Sequence, residues 1–209
     1  IAVLTPEQKE SGVILIDLGG GTTDYFVYAN QKVALAGAVA IGGDHITNDL
    51  ALGLRIPTGQ AERLKLQFGS AMVDLSQREQ SVTIPPEGGF TGGQVKVVDI
   101  QTVINARMDE VLNMIRDKLA GEDVLHNVGA GIVLTGGGAR LKRMNDLTAK
   151  VFGVPCNLGK PRNVSGLAVV TEGCEYAAPI GMLRFAEKSG RRPSAADGLF
   201  TWMKGLIRK

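Results

Sequence analysis

The sequence feature that most constrains the fold is the stretch Asp-Leu-Gly-Gly-Gly-Thr-Thr-Asp at residues 17–24, directly after the apolar run Gly-Val-Ile-Leu-Ile. Glycine clusters usually mark turns, and a turn is the simplest interpretation of these glycines. Backbone N–H groups without a neighbouring Cβ can instead approach a phosphate closely and form an anion-binding nest. The stretch alone leaves both interpretations open, and the rest of the chain has to decide.

Asp17 lies where the apolar run ends and the glycines begin. Mg²⁺ keeps several waters in proteins and takes only one or two protein carboxylates beside substrate phosphates. A carboxylate at this position therefore suits a hydrated Mg²⁺, provided that the glycines hold phosphate.

A second strand with glycines behind it occurs near the end of the chain. The apolar segment 132–135 is followed by Gly136, Gly137 and Gly138. In open α/β sheets, ligands bind at the carboxyl ends of the strands. Two glycine corners that both follow apolar strands are what a nucleotide held from two sides requires, so the second corner favours the phosphate interpretation of the first.

The composition is that of an ordinary globular protein. The 209 residues are 44% hydrophobic, with a formal net charge of +2, which is long enough for one large domain or two small ones. From residue 184 onward seven basic residues accompany two acidic ones, so an anionic partner is expected only at the tail and no nucleic acid is expected. Cys156 and Cys174 lie outside any CxxC motif, which predicts reduced, inert thiols. Because the chain begins at Ile1, we expect that an N-terminal part is missing.

Hydrophobic periodicity predicts an α/β fold. Asp44 is the expected N-cap of the first helix after the sheet, and His45 and His126 are expected to be isolated cap or surface residues. Strands are expected at 12–17, 25–28 and 33–41, with a turn at 30–31 and shorter strands near 81–86, 94–99 and 154–159. Helices are expected at 44–55, 59–68, 99–119, 141–152 and 176–186.

Four stretches resemble the actin-like ATPase superfamily. DLGGGTTD resembles its second phosphate motif, and IVLTGGGARL (132–141) is similar to its adenosine motif. AERLK (61–65) resembles the helix whose Glu and Lys reach the nucleoside, and EYAAPIGML (175–183) resembles the second connecting helix. Longer stretches such as AIGGDHITNDLALGLRIP, with the basic and apolar tail, are similar to the FtsA family of bacterial cell-division proteins. The resemblance covers nearly the whole chain.

The resemblance implies an actin-like, ribonuclease H-like α/β lobe with a mixed five-stranded sheet. Residues 1–43 and 120–186 would form subdomain 2A, and residues 44–119 an inserted, smaller α+β subdomain 2B. Residues 187–197 would be a flexible linker before an amphipathic helix at 198–209. The other lobe would precede Ile1, so this chain would carry half of an ATP site.

For that site the resemblance implies ATP and Mg²⁺. Asp17 is expected to orient Mg²⁺ through water. Glu62 and Lys65 share a helix face at spacing i, i+3 and are expected to reach the ribose or base, with a solvated helix face as the alternative. The expected nucleotide-binding residues are Asp17, Gly19, Gly20, Gly21, Thr22, Thr23, Gly43, Glu62, Lys65, Gly136, Gly137 and Gly138.

For the function, the resemblance implies a protein that polymerises into actin-like protofilaments and tethers the FtsZ ring to the cytoplasmic face of the membrane at the division septum. It would also recruit later division proteins, with at most weak ATPase activity. The alternatives are a phosphotransferase of the sugar-kinase or acetate-kinase type and a chaperone-type ATPase. No acceptor base is visible, and the chain continues into a short amphipathic segment instead of a substrate-binding domain, which favours the division protein.

The resemblance also implies that subdomain 2B binds the C-terminal peptide of FtsZ. Arg107 and Glu110 match the family's Arg-x-x-Glu position, and an Arg fork suits a peptide carboxylate. An intrahelical Arg107–Glu110 pair with a structural role is an equally good interpretation. The segment before the long helix offers only Lys96 as a basic residue, which departs from the family.

The tail sequence predicts an amphipathic membrane helix. On a helical wheel of about 100° per residue, its six apolar side chains share one arc and its cations the other side. Twelve residues are too few for a stable isolated helix, but at a bilayer the same segment can bury its apolar face while its cations meet anionic lipids. The expected membrane-binding residues are Leu199, Phe200, Trp202, Met203, Lys204, Leu206, Ile207, Arg208 and Lys209.

Overall fold

The computed structural model describes residues 2–122, 124–125, 128–163 and 173–189. The strands are β1 (Val13–Leu18), β2 (Thr23–Ala29), β3 (Lys32–Val39), β4 (Ser81–Ile84), β5 (Gly93–Lys96), β6 (Ile132–Thr135) and β7 (Cys156–Leu158). The helices are α1 (Pro6–Ser11), α2 (Gly43–Leu54), α3 (Thr58–Phe68), α4 (Val97–Gly121), α5 (Met144–Phe152) and α6 (Ala177–Lys188).

Five of these strands form one mixed sheet in the order β3-β2-β1-β6-β7, which confirms the expected architecture. β1, β2 and β3 are antiparallel neighbours, whereas β1 with β6 and β6 with β7 are parallel. All four residues of β6 are buried, as is typical of a central parallel strand that is covered on both faces. The parallel pairing places Asp17 beside Thr135, so the carboxyl ends of β1 and β6 meet at one edge of the sheet.

The turn between β2 and β3 is the predicted one. Asn30 and Gln31 have φ angles of 50° and 66°, and positive φ at both central residues is the mark of the tight hairpin turn that matches the twist of antiparallel strands. The sheet therefore continues from β2 into β3 without a loop.

The segment between β3 and β6 packs α2, α3 and α4 beside a two-stranded antiparallel sheet of β4 and β5. The apolar stripe of α4 is buried, as its helical spacing predicted, and it belongs to the same hydrophobic core as β1 and β6. The stripe consists of Ile100, Ile104, Met108, Val111, Ile115 and Leu119.

Two local predictions need correction, and one helix was not predicted. Asp44 is not the N-cap of α2, because the helix begins at Gly43 and its N-cap is Gly42, two residues earlier. The Nδ1 atom of His45 accepts the N–H of Gly42 at 3.2 Å. Helix α5 begins at Met144, three residues later than expected, because residues 137–140 form a 3₁₀ turn and Arg143 adopts a left-handed conformation with φ 59°. Helix α1 was not expected, although Thr5 and Gln8 form a capping box at its start, a pattern that is readable in sequence.

Helix α6 packs through Ala177 and Ile180 against a small apolar cluster around Val13 and Val133. None of the helices in the described part of the chain is both long and apolar enough to cross a membrane. His126, the predicted linker beyond residue 189 and the predicted tail helix at 198–209 lie outside the described residues.

Candidate functional site

The two glycine corners touch each other at the edge where β1 and β6 end. A Cβ atom on Gly136 would overlap Oδ1 of Asp17 and lie 2.5 Å from the carbonyl oxygen of Leu18. A Cβ on Gly138 would lie 2.8 Å from Cβ of Leu18. These glycines are therefore needed for the backbones of the two corners to approach each other.

Some backbone polar groups of the first corner are hydrogen-bonded within the protein, and others have no partner among the described residues. The carbonyl oxygens of Gly19 and Gly20 accept the N–H groups of Gly43 (3.0 Å) and Asp44 (2.9 Å), which satisfies the first turn of α2. The N–H of Gly19 donates to Thr22 O at 2.9 Å. The N–H groups of Gly20, Gly21 and Thr22 have no hydrogen-bond acceptor among the described residues. Three consecutive N–H groups thus remain for an anion.

Two of the expected phosphate-binding residues already use a polar group in a hydrogen bond within the protein. Thr23 is 1% exposed and its hydroxyl donates to Ile41 O at 2.8 Å. Thr22 is exposed, with its hydroxyl 3.3 Å from Oδ2 of Asp24. The hydroxyl of Thr23 and the N–H of Gly19 therefore hold the corner together, whereas the N–H groups of Gly20, Gly21 and Thr22 are left without an acceptor among the described residues.

Two glycines of the corners have no steric reason to be glycine. Gly21 and Gly137 are exposed, neither has a positive φ, and a Cβ on either would meet nothing within 4 Å. By contrast, a Cβ on Gly42 would lie 2.6 Å from Gly19 O. Gly21 and Gly137 thus leave open backbone, one at each corner, where a ligand can approach.

The Asp17 carboxylate is half-buried between the corners and receives no hydrogen bond from the described residues. Burial, and secondly the charge of Asp24 across the β1–β2 pair, raise the pKa of Asp17. A carboxylate that is desolvated, unpaired and beside a second carboxylate is stabilised by a nearby cation. No cluster of three or more potential metal ligands occurs among the described residues, and a Mg²⁺ held through water beside phosphates needs only one carboxylate.

Glu62 and Lys65 adjoin the first corner through the start of α2. The Lys65 ammonium donates to Gly43 O at 3.0 Å and to Oγ1 of Thr47 at 2.8 Å, and it pairs with Oε2 of Glu62 at 2.7 Å. The Lys65 side chain is 13% exposed and that of Glu62 41%, so the alternative of a solvated face does not describe Lys65. Sequence reasoning missed Thr47, because nothing in the sequence shows that α2 and α3 pack at this point.

Arg107 is already paired within the protein. Its Nε and Nη2 atoms donate to the two carboxylate oxygens of Asp49 on α2 at 2.6 and 2.9 Å. Its Nη1 atom donates to Oε2 of Glu110 at 2.5 Å. The hydrogen bonds with Asp49 raise the pKa of Arg107 further. Asp49 was not anticipated, and its contact favours the structural interpretation of Arg107. The nine predicted membrane-binding residues at 199–209 lie outside the described residues.

The whole chain is similar to bacterial cell division proteins. A family model described as "Cell division protein FtsA" matches residues 14–181. The chain is 34% identical over 199 residues to Cell division protein FtsA of Neisseria meningitidis serogroup B, covering 94% of this chain and 48% of that protein. It is 30% identical over 220 residues to the protein of the same name from Escherichia coli strain K12, covering 98% and 52%. The chain spans about half the length of the curated relatives it matches.

Solved structures similar to this chain share its fold. MreB5 of Spiroplasma citri bound to ADP superposes with a TM-score of 0.65 at 20% identity, covering 88% of this chain and 57% of that one. The MamK double helical filament superposes with a TM-score of 0.57 at 18% identity, covering 81% and 54%. These neighbours confirm the predicted actin-like fold.

Proposed function

Because the chain belongs to the FtsA family of cell division proteins, we propose that the edge where β1 and β6 end binds ATP together with Mg²⁺. The observation that carries the proposal is the contact between the two glycine corners. In the first corner the N–H groups of Gly20, Gly21 and Thr22 have no acceptor among the described residues, and the Asp17 carboxylate between the corners receives no hydrogen bond from them. Neighbours such as MreB5 bound to ADP and to AMPPNP support it.

The N–H groups of Gly20, Gly21 and Thr22 are the phosphate donors in this proposal, since an array of backbone N–H groups favours an anion. Asp17 faces the hydrated Mg²⁺, which neutralises phosphate charge when bound. Gly136–Gly138 form the flat backbone under the adenosine, where Gly137 leaves room for the base. Gly43, Glu62 and Lys65 form the wall on the nucleoside side.

The test is calorimetric titration of the full-length protein with Mg-ATP. Asp17→Asn keeps the side-chain shape and removes the charge, and the loss of one charged interaction of about 1.5–3 kcal/mol lowers affinity about 10-fold or more. Asp117→Asn near the end of α4 is the matched control, because it removes the same charge from an exposed position that is no part of the two corners and should leave Mg-ATP affinity unchanged. Equal affinity of Asp17→Asn and wild type would contradict the site.

For the cellular role, we propose that the full-length protein polymerises and tethers FtsZ to the cytoplasmic face of the membrane at the septum, where it recruits later division proteins. The names of the curated relatives support the division role, and the filament formed by MamK supports self-association on this fold. Subdomain 2A would comprise residues 1–43 and 120–186, and 2B residues 44–119. The exposed Met182, Leu183 and Phe185 of α6 would pack against the rest of the full-length protein.

Subdomain 2B is the proposed binding surface for FtsZ, and Arg107 has one of two roles there, structural or peptide-binding. Fluorescence anisotropy of a labelled FtsZ C-terminal peptide distinguishes them when Arg107→Ala and Glu110→Ala are compared. If Arg107 only holds α2 to α4, binding and stability fall together in Arg107→Ala, and Glu110→Ala binds normally. If the pair contacts the peptide, Glu110→Ala weakens binding without destabilising the protein.

A further inference from the structure

The end of α3 is joined by a backbone contact to the segment that follows the second glycine corner. Ser70 and Lys142 form a parallel bridge, and the N–H of Ala71 donates to Lys142 O at 2.8 Å. A Cβ atom on Gly69, the residue after α3, would lie only 3.0 Å from Cδ1 of Leu141. Residues 69–71 and 141–142 are therefore in close contact, and we call this contact the clasp.

Asn105 on α4 anchors the clasp through a side-chain hydrogen bond. Its Nδ2 atom donates to Ala71 O at 2.6 Å. Ala71 is fully buried, and in the described part of the chain its carbonyl has no other donor. Because a buried carbonyl without a donor costs free energy, the Asn105 amide favours the observed position of Ala71. One helical turn earlier, the buried Gln101 accepts the N–H of Asp74 at 2.8 Å, so α4 holds this loop at two points.

The clasp lies next to both elements that the proposed site places around the nucleoside. Helix α3, which carries Glu62 and Lys65, ends at Phe68, directly before the first segment of the clasp. The 3₁₀ turn at 137–140, which begins within the second corner, ends directly before the other segment. Since both elements are helical and have their own backbone hydrogen bonds, a change in the clasp moves α3 relative to the second corner.

We infer that Asn105 is a positioning residue that, through the clasp, sets the distance between α3 and the second glycine corner and thereby the width of the cleft for the nucleoside. The inference rests on the proposed nucleotide site. The effect of Asn105 on the ligand is indirect, because its contact is with Ala71. A cleft that varies in width is only partly in its binding form, and its apparent affinity is reduced by that fraction.

The first experiment is calorimetric titration of the full-length protein with Mg-ATP. Asn105→Leu keeps the approximate shape and removes the donor, and it should lower affinity about 2- to 30-fold, as expected for a residue that acts on a site without touching it. Asn113→Leu is the matched control. Asn113 is also half-buried on α4, but its amide donates to Asp109 within the same helix, so affinity should stay at the wild-type value.

The second experiment measures hydrogen exchange of the same proteins without nucleotide and with Mg-ATP. Asn105→Leu should exchange faster than wild type at the Ala71 amide, with unchanged exchange in β1. A general loss of stability would instead raise exchange at Ala71 and in β1 alike. Because the coupling of two equilibria is reciprocal, Mg-ATP should slow the exchange of Ala71 in the variant.

Three outcomes overturn the inference: wild-type affinity in Asn105→Leu, faster exchange that extends to β1, and exchange at Ala71 that Mg-ATP leaves unchanged. If Asn105→Leu does not fold, Asn105→Asp repeats the test, because it is closer in shape and also lacks the donor, with Asn113→Asp as its control. A wild type that does not bind Mg-ATP would refute the proposed function, and the inference with it.

Discussion

We expect the glycines of the two corners to have two different roles, which substitution by alanine can distinguish. A Cβ atom added to Gly136 would meet Asp17 and Leu18, whereas a Cβ atom added to Gly21 would have no neighbour within 4 Å. Alanine at Gly136 should therefore destabilise the fold, and alanine at Gly21 should weaken only the binding of nucleotide.

The destabilisation expected for Gly136→Ala has two contributions, backbone strain and steric overlap. Its backbone has φ 83° and ψ 169°, a region that is nearly restricted to glycine and costs other residues about 1–3 kcal/mol. The new Cβ would also overlap Asp17 and lie 2.5 Å from Leu18 O, and forcing extra atoms into a packed site costs about 1–3 kcal/mol. Together the two terms lower the free energy of unfolding by about 2–6 kcal/mol, a large part of the roughly 5–15 kcal/mol that a domain has.

At Gly21 neither the backbone strain nor the steric overlap applies. A Gly to Ala substitution without steric conflict reduces the entropy of the unfolded chain and stabilises by about 0.4–1 kcal/mol. If a phosphate oxygen approaches the Gly21 N–H, the methyl group obstructs a hydrogen bond to a charged group worth about 1.5–3 kcal/mol, which corresponds to a loss of affinity of about 10- to 150-fold.

The assay combines urea denaturation without nucleotide and calorimetric titration with Mg-ATP, both on the full-length protein. Gly121→Ala at the end of α4 is the control, because that glycine is also exposed and free of neighbours within 4 Å but lies away from the corners. Gly21→Ala with wild-type affinity would remove the first corner from the phosphate site. Gly136→Ala with wild-type stability would refute the steric argument.

Three further predictions concern charge and the tail. Because the pKa of Asp17 is raised in the folded state, the protonated form is favoured there and stability falls as pH rises through the folded pKa. Asp17→Asn is therefore expected to be more stable than wild type at pH 7 without nucleotide in urea denaturation, and this gain should vanish below the ordinary pKa of 3.8; a loss of stability at pH 7 would contradict the cause given. A double-mutant cycle of Asp49→Ala and Arg107→Ala should give a coupling energy of about 1–3 kcal/mol for this bidentate pair, which is about one-quarter exposed, and additive effects would show that the pair does not hold α2 to α4. Sedimentation of the full-length protein with anionic vesicles should be reduced by Trp202→Glu and by deletion of residues 198–209, and equal pelleting of both variants with wild type would show that the tail is not the anchor.

Much of the sheet, and the edge at which the two glycine corners meet, could be predicted from the sequence, because the signals are local. A continuous apolar run followed by glycines identifies the end of a buried strand, and the Asn30-Gln31 turn lies between two strand patterns. The apolar stripe of α4 has the helical period that burial requires. Each of these features is determined by residues that are close together in the chain.

Contacts between distant residues could not be predicted in this way. Arg107 and Asp49 are 58 residues apart, and only the packing of α4 on α2 shows that the Arg107 fork is occupied. The sequence of the first corner likewise does not show that the Gly19 N–H and the Thr23 hydroxyl are used inside the protein. Whether a glycine is required by close neighbours or lies in open space depends on the residues that face it across the fold.

In the proposed nucleotide site, the Asp17 carboxylate links the stability of the chain to the binding of Mg-ATP. Without a cation, burial and Asp24 both raise the pKa of Asp17 and disfavour its ionised form, so ionisation of Asp17 destabilises the unliganded protein. A ligand that binds only the folded state stabilises it by about 2.7 kcal/mol at a concentration 100 times its Kd. Mg-ATP should therefore raise the melting temperature of wild type more than that of Asp17→Asn at the same concentration, because the variant lacks both the unfavourable charge and the affinity that the charge provides. An equal rise in both proteins would show that Asp17 is buried for a structural reason unrelated to the cation.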